Sequence, residues 1–161
     1  MHLLATIPGG WNPDTEGVFI VDQQPGDIVF ITAADSEINL LNQAYQACAA
    51  APLPSLRMAN SIYLRQELSI DHYVEQVVTH ARLVVCRLLG GLAYYPYLVE
   101  QVKDVCAERS IPVLFLPGYE TPDWELMQLS TDLEAADTLW RYFSAGGQGN
   151  LEQALLYLLH R

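Results

Sequence analysis

Apolar positions along this chain follow two alternating rhythms. Short unbroken apolar runs are separated by longer stretches in which apolar residues return every three or four positions. The first rhythm marks strands buried on both faces of a parallel sheet, and the second marks helices laid over that sheet. The runs are Asp27–Ala33 (DIVFITA), Arg82–Arg87 (RLVVCR) and Ile111–Leu116 (IPVLFL), with Ser55–Ile62 (SLRMANSI) as a fourth. His2–Ile7 and Gly17–Asp22 read as shorter strands, parted by the breaker-rich loop Pro8–Glu16.

Between these runs the helical spacing is clear. Asp35 or Ser36 is expected to cap a helix running to about Ala50, with Glu37 in its first turn. Ser69 is expected to cap a second, in which Ile70, Tyr73, Val74, Val77 and Val78 recur on one side. A third covers Tyr97–Arg109 with Leu98, Val102, Val105 and Cys106 on one face. Three more follow after the last strand. These are Trp124–Leu129, then Leu133–Ser144 (Leu133, Ala136, Leu139, Trp140 and Phe143 inward), then Leu151–His160. Gly146-Gly147-Gln148-Gly149 and a capping Asn150 precede the last one. Alternation of this kind predicts one α/β domain over residues 1–161. The expected fold is a mainly parallel, three-layer, flavodoxin- or Rossmann-like sheet of four or five strands, with extra helices at its C-terminal end. The strands at 27–33, 81–87 and 111–116 are expected to be central. Exposed apolar positions around Trp140 or Leu156 would form an interface.

Composition narrows the function classes. The chain is 51% hydrophobic, enough to fill a core, and carries a net charge of −11 from 19 acidic and 8 basic residues. Such acidity argues against nucleic acid and against an anionic membrane surface. It serves solubility or a docking face for a basic partner. Three cysteines, Cys48, Cys86 and Cys106, have no CxxC spacing and read as reduced thiols in a cytoplasmic protein. The N-terminus lacks a basic segment of the signal-peptide kind, and no apolar run has the length of a membrane span.

The stretch Arg82–Val102 (RLVVCRLLGGLAYYPYLVEQV) concentrates the candidate chemistry. A buried strand that ends in a glycine turn and feeds a helix sets that turn at the carboxyl edge of a parallel sheet, where open α/β proteins bind ligands. Arg87, Gly90, Gly91, Tyr94 and Tyr95 would lie there, together with Asp35 and Glu37 from the neighbouring strand's exit and the Pro117-Gly118 turn. In a ligand crevice the acids and Arg87 would supply charge. The glycines would free backbone amides for an anion, and the tyrosines would line a flat pocket. Structurally, Asp35 or Ser36 caps a helix, Arg87 pairs with Asp35, Gly90-Gly91 makes a tight turn, and the tyrosines form a half-buried rim. The structural readings come out ahead. No P-loop, GxGxxG after a strand, GxSxG or HExxH occurs, and no nucleophile–base pair can be named for a hydrolase. His72 and His80 lie two turns apart, too far along one helix to share a metal.

The ordered set of segments resembles the N-terminal part of the large subunit of aerobic cobaltochelatase, the CobN family, itself related to the magnesium chelatase large subunit. The segments are MHLLATIPGG at the start, PGDIVFITAADSE at 25–37, the long block 54–102, IPVLFLPG at 111–118, and ELMQLSTDLEAADTLWRYFSAGGQGNLEQALLYL at 125–158. The resemblance implies ATP-dependent insertion of cobalt into hydrogenobyrinic acid a,c-diamide in cobalamin synthesis. It implies as partners the remainder of the large subunit, an AAA+ ATPase, a second small subunit and the corrin macrocycle. The resemblance carries no catalytic or metal-binding residue onto this chain, whose expected role is structural or docking, with no cofactor of its own. The alternatives are a stand-alone flavodoxin-like ligand-binding or sensor module and a relative of the magnesium chelatase large subunit.

Overall fold

The computed structural model describes residues 18–48 and 52–161. Four strands form one all-parallel sheet in the order β2-β1-β3-β4. They are β1 (Ile28–Thr32), β2 (Leu56–Asn60), β3 (Leu83–Leu88) and β4 (Val113–Pro117). Every strand residue is buried, which explains why these segments read as continuous runs. The helices are α1 (Asp35–Ala47), α2 (Glu67–Gln76), α3 (Gly91–Tyr94), α4 (Pro96–Arg109), α5 (Trp124–Met127), α6 (Leu133–Ala145) and α7 (Gly147–Leu159). The three-layer, Rossmann- or flavodoxin-like architecture is therefore as the alternation predicts.

The pleat sends alternate residues to opposite faces. Val29, Ile31, Val84, Cys86, Val113 and Phe115 pack with Ile70 and Tyr73 of α2 and Leu98 and Val102 of α4. Ile28, Phe30, Val85, Leu114 and Leu116 pack with Leu41 of α1, Leu139 and Phe143 of α6 and Leu155 of α7. Each such side chain, fully buried, contributes about 1.5–3 kcal/mol relative to exposure.

Among the described residues, both sheet edges are covered by side-chain and backbone groups that mimic a neighbouring strand. Along β2, Gln23 Nε2 donates to the Met58 carbonyl at 3.0 Å, and the fully buried Arg57 reaches back to the Gln24 carbonyl at 2.8 Å. Along β4, the Thr131 amide donates to the Val113 carbonyl at 2.9 Å. The Val113 amide donates to Thr131 Oγ1 at 3.1 Å, and the Phe115 amide to Ser130 Oγ at 2.8 Å.

Several expectations need correction. The strand at 111–116 is an edge strand, not a central one. Residues 18–22 form no strand. The expected strand His2–Ile7 and loop Pro8–Glu16 lie outside the described residues. None of the three expected side-chain caps acts as one, because each residue lies inside its helix. α1 is capped by Ala34, and Asp35 instead accepts from Asn60 Nδ2 at 2.8 Å. Ser69 lies inside α2 and donates to the Phe19 carbonyl. Asn150 lies inside α7 and donates to the Gly146 carbonyl at 2.7 Å. Trp140 is buried, with its indole N–H donated to the Tyr119 carbonyl at 2.9 Å, so it offers no interface. Leu133, expected to face inward, is exposed, as is Leu156.

Candidate functional site at the carboxyl edge of the sheet

Parallel pairing sets Thr32, the last residue of β1, beside Arg87 on β3, and Leu88 beside Pro117 on β4. Helix α1 starts just after β1, so its first turn overhangs the same edge. Glu37 projects from that turn onto Arg87, whose Nε donates to Oε2 at 3.0 Å and to Oε1 at 3.2 Å. Thr32 Oγ1 donates to Glu37 Oε1 at 2.8 Å, and Arg87 Nη1 donates to the Pro117 carbonyl at 2.7 Å. The guanidinium also lies over the Phe143 ring, 5.2 Å from its centroid, as in a cation–π contact. Arg87 is only 7% exposed. A charge so placed is tolerable only because it is paired and hydrogen-bonded.

Above the pair lies a crevice of about 110 Å³ bounded by Thr32, Ala33, Ala34, Glu37, Leu89 and Gly118. The expected Arg87–Asp35 pair is not made; the arginine takes Glu37, and Asp35 stands exposed with Asn60 as its partner. Gly90 and Gly91 both have positive φ, 90° and 54°, as the turn requires. The Tyr94 ring lies against Gly90: a Cβ there would come within 1.8 Å of the ring. Tyr94 itself is exposed, whereas Tyr95 is buried and shares a hydrogen bond with Ser61 Oγ at 3.1 Å. The two tyrosines therefore do not line one pocket. Tyr97 OH donates to Asp71 Oδ1 at 2.6 Å, which pushes the phenol up to about 12.

Thr32, Asn60 and Phe143 complete the polar arrangement and were not anticipated. Thr32 could have been found as the residue that ends β1 beside Arg87. Phe143 is distant in sequence and carries no local signal. Among the described residues no group of three or more His, Cys, Asp or Glu side chains stands close enough to hold a metal ion. No helix there is long and apolar enough to cross a membrane. A larger cavity, about 450 Å³, opens at the opposite, amino edge beside Arg82, Pro112 and Arg161. Arg161 is engaged there with Asp132 at 2.9 Å, and Asp27 with the Ser55 amide at 2.9 Å. At the carboxyl edge, then, every charge of the central pair is met within the protein. The arrangement is a closed structural knot with a shallow crevice above it.

Comparison with known proteins adds what the geometry lacks. The chain is 40% identical over 154 residues to the aerobic cobaltochelatase subunit CobN of Pseudomonas aeruginosa. It is 37% identical over 153 residues to the subunit of the same name from a Sinorhizobium species. These matches take in 95% and 93% of this chain but 12% of each relative, at its N-terminal end. No protein-family model matches the chain, and no solved structure matches it significantly.

Proposed function

We propose that this chain, similar along nearly its whole length to the N-terminal segment of CobN subunits, is the N-terminal domain of a cobaltochelatase large subunit. The complete subunit would belong to an ATP-dependent ligase that forms metal–nitrogen bonds. Its reaction inserts cobalt into hydrogenobyrinic acid a,c-diamide during cobalamin synthesis in the cytoplasm. An AAA+ ATPase and a second small subunit would drive it, and the macrocycle would be held by the subunit as a whole. The observation that carries this reading is identity of 40% sustained over 154 residues.

Within that subunit the domain's role is scaffolding or docking, and the segment alone is inactive. The carboxyl-edge site supports this. Arg87 and Glu37 satisfy one another, and the crevice of about 110 Å³ is well below the roughly 300–1,000 Å³ of ordinary ligand pockets. The test compares the complete subunit with one lacking residues 1–161, each titrated with the ATPase partners and the corrin substrate. Loss of assembly or chelation on deletion is the expected result. Unchanged chelation, with no partner or corrinoid binding to this domain, refutes the role.

A further inference from the structure

We propose that the carboxyl edge of the sheet is the surface on which the rest of the large subunit docks. The docking partner is a face of aliphatic side chains ringed by Lys and Arg. The inference rests on the reading above and names the surface and chemistry of its partner.

Ten large apolar side chains are exposed among the described residues, and six of them stand at this one edge: Ile62, Leu68, Leu89, Tyr94, Tyr119 and Trp124. Each lies in a segment that leaves the carboxyl end of a strand or opens the next helix, so the parallel topology brings them to the same end of the domain. Scattered apolar residues are ordinary on a surface, but a gathering of them, rich in aromatic rings, marks an interaction site. Tyr94 and Trp124 are 65% and 52% exposed.

Charge at this edge is one-sided. Asp35, Glu67, Glu120 and Glu125 stand exposed around the apolar group. The buried cation, Arg87, is neutralised by Glu37. Arg65 is the exposed cation in these connecting segments among the described residues. A complementary face is therefore apolar at its centre and basic at its margin. The relatives supply the reason for choosing the same polypeptide as occupant: this domain aligns with 12% of their length, so in them it is joined to a much larger body.

Hydroxyl-radical footprinting of the complete subunit tests this, with each residue's oxidation rate normalised to the urea-unfolded subunit. Without any macrocycle, Tyr94, Tyr119 and Trp124 should be protected several-fold more than Leu133 and Leu156, which are comparably exposed but lie away from this edge. Charge reversal by Glu120→Lys with Glu125→Lys should lower that protection while amide exchange in β1 and β3 stays slow. Edge residues oxidised as fast as Leu133 and Leu156 overturn the inference and leave the chelatase reading standing. Protection that appears only when the corrin substrate is added also overturns it, since the edge would then be a ligand surface. A gene product that stops at Arg161 refutes both.

Discussion

Replacing Glu37 with alanine should cost this domain a large part of its stability. The guanidinium of Arg87 would keep the Pro117 carbonyl and the Phe143 face but lose its counter-ion. Breaking a buried pair by removing one partner costs about 3–5 kcal/mol, because the other charge is left uncompensated. The side chains of Arg87 and Glu37 are 9% and 14% exposed, so some water can reach the orphaned charge, which favours the lower end of that range. The Thr32 hydroxyl also loses its acceptor, adding up to about 1 kcal/mol. The expected loss is about 3–4 kcal/mol, equivalent to a fall in Tm of roughly 6–16 °C for a domain of this size. Urea unfolding at pH 7, followed by circular dichroism and tryptophan fluorescence, measures it. The denaturation slope should be unchanged. Glu37→Leu combined with Arg87→Met should recover most of the loss, since an apolar pair of similar volume needs no counter-charge. A loss below about 1 kcal/mol would mean that the pair behaves as an exposed one. A double variant as unstable as the two single losses summed would mean that the residues are not coupled. Either result refutes the reasoning.

Three further outcomes follow from local structure. Burial pushes the thiols of Cys86 and Cys106 up, that of Cys106 to about 12, while Cys48 is half-buried; alkylation of the native chain, read by mass spectrometry, should therefore modify Cys48 and spare the other two until the chain is unfolded. The Ala135 amide, and then Arg161, hold the Asp132 carboxyl below the usual range. That stabilisation is present above the unfolded value of about 3.9 and is lost as pH falls through the lower folded value. Asp132→Asn should therefore lower Tm at pH 6 by more than at pH 2.5, and an equal effect at both would contradict this. Gly90→Ala forces a side chain onto a residue at φ 90° and against the Tyr94 ring. It should destabilise by about 1–3 kcal/mol, with Gly149→Ala, where a Cβ meets nothing within 4 Å, as the mild control in the same urea titration.

The four described strands were legible because burial on both faces leaves no polar alternation to confuse them. Their order was less so. β4 is as apolar as β1 and β3 although it lies at the edge, because Ser130 and Thr131 close that edge and α6 covers its face. Helix starts were misread where a capping residue type had another partner: a tertiary one for Asp35 (Asn60) and Ser69 (the Phe19 carbonyl), and a local one for Asn150, the Gly146 carbonyl one turn back. The ionic partner of Arg87 was misassigned for a geometric reason. Residues 35 and 37 are two apart on a helix, about 200° around its axis, so only one of them can face β3. The resemblance to CobN subunits was legible from ordered segments spread over the whole chain, since no short motif carries it.

The strand mimicry by Ser130 and Thr131 has a consequence for how the chain can be divided. An uncovered parallel edge is a template for a strand from another molecule. Here the cover for β4 comes from beyond α5, so a piece cut between Pro117 and Ser130 would contain every strand of the sheet and still be sticky. During synthesis, β4 emerges before the cover of its edge, Ser130 and Thr131, and before the cover of its face, α6 and α7. A piece that behaves as a discrete particle must therefore run past Thr131, and on through α6 and α7, which cover one face of the same sheet; the last strand ends well short of that point.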